Sequence, residues 1–115
     1  MTKTARMTYT SRCGTARKTK AILEEEGYEV ETIDYLDGAL SREELARLYD
    51  RAGLTPRQGL RAKEEIAKGL NLADASDEEI LDAMMQHPIL IERPLVETVK
   101  GVVLARPQDK VREIL

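Results

Sequence analysis

The first thirty-five residues limit this chain most. Ala5 to Tyr9 alternates apolar and polar residues, the period of a strand. The segment that follows, up to Glu26, places Ala16, Thr19, Ile22 and Leu23 on one helical face, with Gly27 as the C-terminal stop. Tyr28 to Tyr35 is β-branched and alternating, a second strand. Strand, helix and strand in about 35 residues leave enough chain for a parallel crossover.

The remaining elements are marked by their ends. Ser41-Arg42-Glu43-Glu44 reads as a capping box, with Leu40 and Leu45 as a hydrophobic staple. Leu45, Leu48, Tyr49 and Ala52 supply a buried stripe before Gly53 ends the helix. Thr55-Pro56 predicts another helical stretch, with proline at the tolerated first position. Ser76-Asp77-Glu78-Glu79 repeats the capping-box pattern, and Pro88 closes that helix just after His87. Leu95 to Thr98 and Val102 to Ala105 flank Lys100-Gly101 as an antiparallel hairpin. Pro107 opens a terminal helix whose apolar face is Val111, Ile114 and Leu115. The order is β-α-β, several helices, then β-β-α. With no repeat, low-complexity tract or linker, residues 1–115 are read as one domain.

With 42% hydrophobic and 34% charged residues, the chain reads as globular. A formal net charge of −3 argues against a general nucleic-acid binder. No apolar run approaches the roughly 20 residues of a membrane span. Met1-Thr2-Lys3-Thr4-Ala5-Arg6 lacks the apolar stretch of a secretory signal. One cysteine excludes an internal disulfide framework, so a cytoplasmic setting is expected. No metal and no tightly bound cofactor are expected.

That cysteine, Cys13, falls between the first strand and the first helix. A helix start favours the thiolate, the nucleophilic form of the side chain. Arg12, Arg17, Lys18 and Lys20 lie close by in sequence and are read as favouring it further. A nucleophilic Cys after the first strand and a Pro before the third are consistent with a thioredoxin-like fold. The helical middle is then an insertion between the β-α-β and β-β-α halves.

Four segments together resemble the glutaredoxin-linked arsenate reductase family. They are Cys13 to Arg17 (Cys-Gly-Thr-Ala-Arg), Gly59 to Arg61 (Gly-Leu-Arg), Gln86 to Pro94 (Gln-His-Pro-Ile-Leu-Ile-Glu-Arg-Pro) and Ala105 to Pro107 (Ala-Arg-Pro). The resemblance implies a thioredoxin-like fold with a helical insertion, an α/β class, and Cys13 as the nucleophile. It implies that Arg61, Arg93 and Arg106 hold the arsenate oxyanion. Guanidinium forks suit the oxygens of such an anion, and the N–H groups of Gly14 and Thr15 are placed to add a backbone cradle. Pro94 matches the position of the fold's cis-proline. The implied chemistry is attack of Cys13 on arsenic, then attack of glutathione on the adduct. Arsenite leaves, and glutaredoxin reduces the resulting mixed disulfide. A single cysteine fits, since the second thiol must then come from outside the chain.

The chain departs from the family just before the nucleophile. Where the family carries His, Asn and Pro, this sequence has Tyr9, Thr10 and Ser11, followed by Arg12. Tyr9, Arg12 and Arg17 are therefore the residues expected to tune the thiolate. Arg42 and Arg47 are read as solvated surface charges, and His87 as a helix-end residue. Two relatives compete with the enzyme reading. Regulators of the Spx type bind RNA polymerase and usually carry Cys-x-x-Cys, but Ala16 occupies the fourth position here. Glutathione-dependent thiol reductase-like relatives without arsenate activity share nearly all the motifs.

Overall fold

Four strands form one mixed sheet, in which the first and third lie side by side in the middle, the second beside the first at one edge and the fourth beside the third at the other. A computed structural model describes residues 3–115; Met1 and Thr2, the start of the N-terminal hexapeptide, lie outside the described residues. Strand β1 (Lys3–Thr8) pairs in parallel with β2 (Tyr28–Ile33), from Lys3 opposite Tyr28 to Thr8 opposite Ile33. Helix α1 (Gly14–Glu25) makes the crossover between them. Strand β3 (Leu95–Thr98) runs antiparallel to β1 and to β4 (Gly101–Leu104). The two halves of the chain thus meet at β1 and β3, in the middle of the sheet.

Alternation along the strands divides the core into two layers. Leu95 joins one apolar cluster, with Leu45, Tyr49, Ile80, Met84 and Leu90. Its neighbour Val96 joins the other, with Met7, Ala16, Leu23, Val111 and Ile114. Adjacent strand residues point to opposite faces, so both faces of β3 are covered. The first layer is built by α2 (Arg42–Ala52) and α4 (Asp77–Gln86), the second by α1 and the C-terminal turns. In α1, Ala16, Thr19 and Leu23 are buried, and Ile22 sits half-buried at the edge of the stripe.

Three expectations about local structure are corrected. The helix predicted from Thr55-Pro56 is a run of turns, and helix α3 begins only at Glu65 (Glu65–Gly69). Backbone groups that a helix would pair internally are committed elsewhere: the Arg61 N–H donates to the Leu90 carbonyl at 2.8 Å, and the Gly59 carbonyl accepts from the Glu92 N–H at 2.8 Å. The terminal helix is 3-10 over Gln108–Ile114, with Pro107 one position before its start. The Ser41 box is half made. Ser41 accepts the Glu44 N–H at 3.1 Å, but the Glu44 carboxylate turns to Arg6 and Arg47. Ser76 and Glu79 form the reciprocal pair.

Candidate active site

Cys13 is the N-cap residue of α1, with extended backbone at φ −96° and ψ 113°. Its side chain is buried at the mouth of the helix rather than displayed on the surface. Burial pushes the thiol pKa up, but the Ala16 backbone N–H and the guanidinium groups of Arg93 and Arg106 outweigh it. The net effect is a thiol held below its ordinary value. Arg106 Nη1 lies 3.8 Å from the sulfur.

Arg93 and Arg106 are brought to the thiol by backbone contacts that their neighbours in sequence do not reveal. The buried Thr8 hydroxyl accepts the Leu95 N–H at 2.9 Å, fixing the chain just after Arg93-Pro94 beside the end of β1. The Arg93–Pro94 peptide bond is cis, as is Arg106–Pro107. The Pro94 carbonyl then accepts the Ala105 N–H at 2.9 Å, which sets Arg106 next to Arg93. Arg106 Nη1 donates to the Arg93 carbonyl at 3.0 Å.

Arg61 arrives from the insertion. Residues 59–61 lie along Leu90–Glu92, joined by the two backbone bonds above and by a bridge between Leu60 and Ile91. Gly59 permits this approach because a Cβ there would collide with the Tyr49 ring. Tyr49 is buried, and its hydroxyl lies 3.4 Å from the Gly59 carbonyl. Burial raises the Tyr49 pKa well above the phenolic range, so the ring stays neutral.

Charge in the site is unevenly matched. Arg61 reaches Glu64 at 3.3 Å and Glu92 at 3.7 Å, and Arg106 Nε lies 3.5 Å from the same Glu92 oxygen. Nε and Nη1 of Arg93 are buried with no hydrogen-bond partner among the described residues. Such donors are costly to leave unpaired unless a ligand takes them up. A charge arrangement of this kind suits an oxyanion held by guanidinium forks beside a nucleophilic sulfur.

The ArsC family pattern matches residues 9–114. The chain belongs to the ArsC family. It is 46% identical over 105 residues to an arsenate reductase of Rhizobium meliloti, covering 90% of this chain and 75% of that one. An Escherichia coli arsenate reductase is 41% identical, with 90% and 74% covered. A solved arsenate reductase from Vibrio cholerae superposes with a TM-score of 0.94 at 40% identity, over 100% of both chains. The fold is that of these ArsC structures, thioredoxin-like with helices inserted between its halves.

Within this ArsC frame, the structure brings Cys13, Arg93 and Arg106 together at the sulfur and links Arg61 to them through Glu92. Gly14 and Thr15 form the first turn of α1, although the amide that acts on the thiol is that of Ala16. Tyr9, Arg12 and Arg17, the residues expected to tune the thiol, are not among the groups with the largest effect on it. Arg12 is exposed, and Arg17 Nη1 donates to the Ser11 carbonyl at 3.0 Å. Lys20 is paired with Glu24 at 2.9 Å. Arg17 turns back along the loop and Arg12 faces solvent, whereas Arg93 and Arg106, next to the ends of β3 and β4, act on the sulfur. His87 caps the end of α4 through its N–H to Ala83.

Two further residues of the site carry no signal of their own in the sequence. Glu92 lies inside the Gln86 to Pro94 motif, where nothing nearby marks it as facing the arginines. Tyr35 is buried, and its hydroxyl has no partner among the described residues. Burial raises its pKa, while Arg93 and Arg61 pull it down and Cys13 and Glu92 push it up, which places the phenol within the field of the site. Alternation assigned Tyr35 to the end of a strand; in the fold it begins a short 3-10 turn over Tyr35–Asp37.

Proposed function

We propose that the protein is a glutathione- and glutaredoxin-dependent arsenate reductase acting in the cytoplasm. The observation that carries this reading is the convergence of Arg93 and Arg106 on a buried thiol whose pKa they lower, with two Arg93 nitrogens left unpartnered among the described residues. The names of its ArsC relatives supply the substrate.

In this scheme the arginines hold the arsenate oxygens, and the Cys13 thiolate attacks arsenic. An S–As bond forms, and one oxygen leaves as water after taking up protons. The thiolate of glutathione then attacks the Cys13 sulfur. An S–S bond forms and the electron pair of the S–As bond stays on arsenic, which passes from the +5 to the +3 state and leaves as arsenite. Glutaredoxin reduces the protein–glutathione disulfide with a second glutathione. The arginines contribute most where charge builds on oxygen during attack. No step calls for a metal or a resident cofactor.

Arsenite production from arsenate with glutathione, glutaredoxin, glutathione reductase and NADPH tests the scheme. Turnover is expected with the native chain and none with Cys13→Ser. Replacing glutathione and glutaredoxin by thioredoxin and its reductase should abolish it. Activity sustained by thioredoxin would overturn the choice of reductant. No turnover with either system, together with tight binding to RNA polymerase, would favour a regulator of the Spx type. Turnover of glutathionylated thiols alone would favour a thiol reductase.

A further inference from the structure

A carboxylate stands among the arginines of the anion site. Oε1 of Glu92 lies 3.5 Å from Arg106 Nε, 3.7 Å from Arg61 Nε and 3.3 Å from the Arg93 backbone N–H. The Glu92 backbone is fixed by its N–H bond to Gly59, and its side chain is only 25% exposed. Water therefore screens this charge weakly. An anion entering the same arginine group meets a negative charge as well as positive ones, and like charges at such range repel.

One class of anion escapes that repulsion. A tetrahedral oxyanion that still carries a proton can turn its O–H toward the carboxylate and donate a charge-assisted hydrogen bond. An oxyanion with no proton can offer only lone pairs. Arsenate and phosphate keep at least one proton near neutral pH, and sulfate keeps none. Resting on the oxyanion reading above, we infer that Glu92 is a specificity residue that admits protonated tetrahedral oxyanions and rejects sulfate. The arginines supply attraction to any such anion, and Glu92 discriminates by the presence of a donor. Matching of net charge would not do this, because the arsenate dianion and sulfate carry the same charge on the same tetrahedral frame. A purely positioning Glu92 would hold Arg61 and Arg106 in place without preferring one anion over another.

Calorimetric titration of arsenate, phosphate and sulfate at pH 7 into the Cys13→Ser protein, with and without Glu92→Gln, separates the two roles without any turnover. Discrimination against sulfate of about tenfold or more is expected with Glu92 present, the worth of one hydrogen bond to a charged group. Glu92→Gln should bring sulfate affinity up toward that of arsenate. Equal loss of affinity for all three anions in Glu92→Gln would overturn the inference, as would sulfate binding as tight as arsenate with Glu92 intact. Protection of native Cys13 from alkylation by phosphate but not by sulfate supports the same discrimination without a Glu92 variant, and equal protection by both overturns it. Arsenate turnover measured beside these titrations keeps the questions apart. Turnover without discrimination sinks the specificity role alone, and discrimination without turnover sinks the reductase alone.

Discussion

Two groups of three arginines occupy different parts of this small protein, and their counter-ions differ. Arg6, Arg47 and Arg51 converge on Glu97 and Glu44 across α2, β1 and β3. Arg47 reaches Glu97 at 2.7 Å and Glu44 at 2.8 Å; Arg51 reaches Glu97 at 2.5 Å, and Arg6 reaches Glu44 at 2.9 Å. Arg6 also approaches Glu31 at 3.6 Å. At the Cys13 site, Arg61 and Arg106 share Glu92 at longer range, and Arg93 keeps two buried nitrogens unpaired among the described residues. The matched group ties a helix to a sheet. The undermatched group leaves binding capacity for something that is not part of the chain. Arginine clusters are thus told apart by what answers their charge, not by their number.

The largest test of this contrast is Arg93→Ala. It should lower kcat/KM for arsenate by about 2–4 kcal/mol of transition-state stabilisation, as loss of a charge-assisted clamp does. Melting temperature should hardly fall, because no internal partner of those two nitrogens is lost. Arg93→Lys should recover only part, since an ammonium keeps the charge and loses the fork. A lower melting temperature with unchanged turnover would erase the distinction between the clusters.

Glu97→Gln should do the reverse. The hydrogen bonds of Arg47 hold the Glu97 carboxyl at a pKa of about 2, with those of Arg51 adding to them against burial, below the usual 4.5. A depressed pKa stabilises the fold above the unfolded value and loses that contribution as pH falls toward the folded one. Urea titration near neutral pH should show a loss of about 1–2 kcal/mol after allowance for screening by solvent, with arsenate turnover retained. The gap between native and variant proteins should narrow as pH drops from 4.5 to 2. A gap that stays constant across that window would remove Glu97 as the centre of the matched group.

Alkylation rates against pH sharpen the comparison on the other side. The Cys13 midpoint should lie below the free-cysteine value of roughly 8.5, and Arg106→Ala should move it upward. Arg12→Ala should leave it in place, because that residue is exposed to solvent. An Arg12 effect as large as that of Arg106 would restore the loop cations as the tuning groups. Smallest of all is Arg42→Ala. Arg42 pairs with Asp82 and Glu78 between two surface helices, so turnover should be unchanged and melting only slightly lowered. Arg47, read with it as solvated, belongs instead to the matched cluster.

Period and punctuation made much of this protein legible in advance. The crossover through α1, the Ser76 cap, the hairpin at Lys100-Gly101 and the nucleophile at a helix start all depend on neighbours in the chain, so a sequence carries them directly. The motifs named the arginines that the fold gathers. Residues 55–64 could not be read this way. A helix start at Thr55-Pro56 is locally sound, but backbone pairing with Leu90–Glu92, some thirty residues away, competes for the same N–H and C=O groups and wins. Arg12, Arg17, Arg93 and Arg106 are equally cationic in sequence; the bonds from Leu95 to Thr8 and from Ala105 to Pro94, together with the burial of Cys13, decide which of them reach the sulfur. Glu92 and Tyr35 follow the same rule. Local chemistry set where the elements begin and end, whereas which charges stay unanswered depends on distances through space, and those exist only once the sheet has closed around β1 and β3.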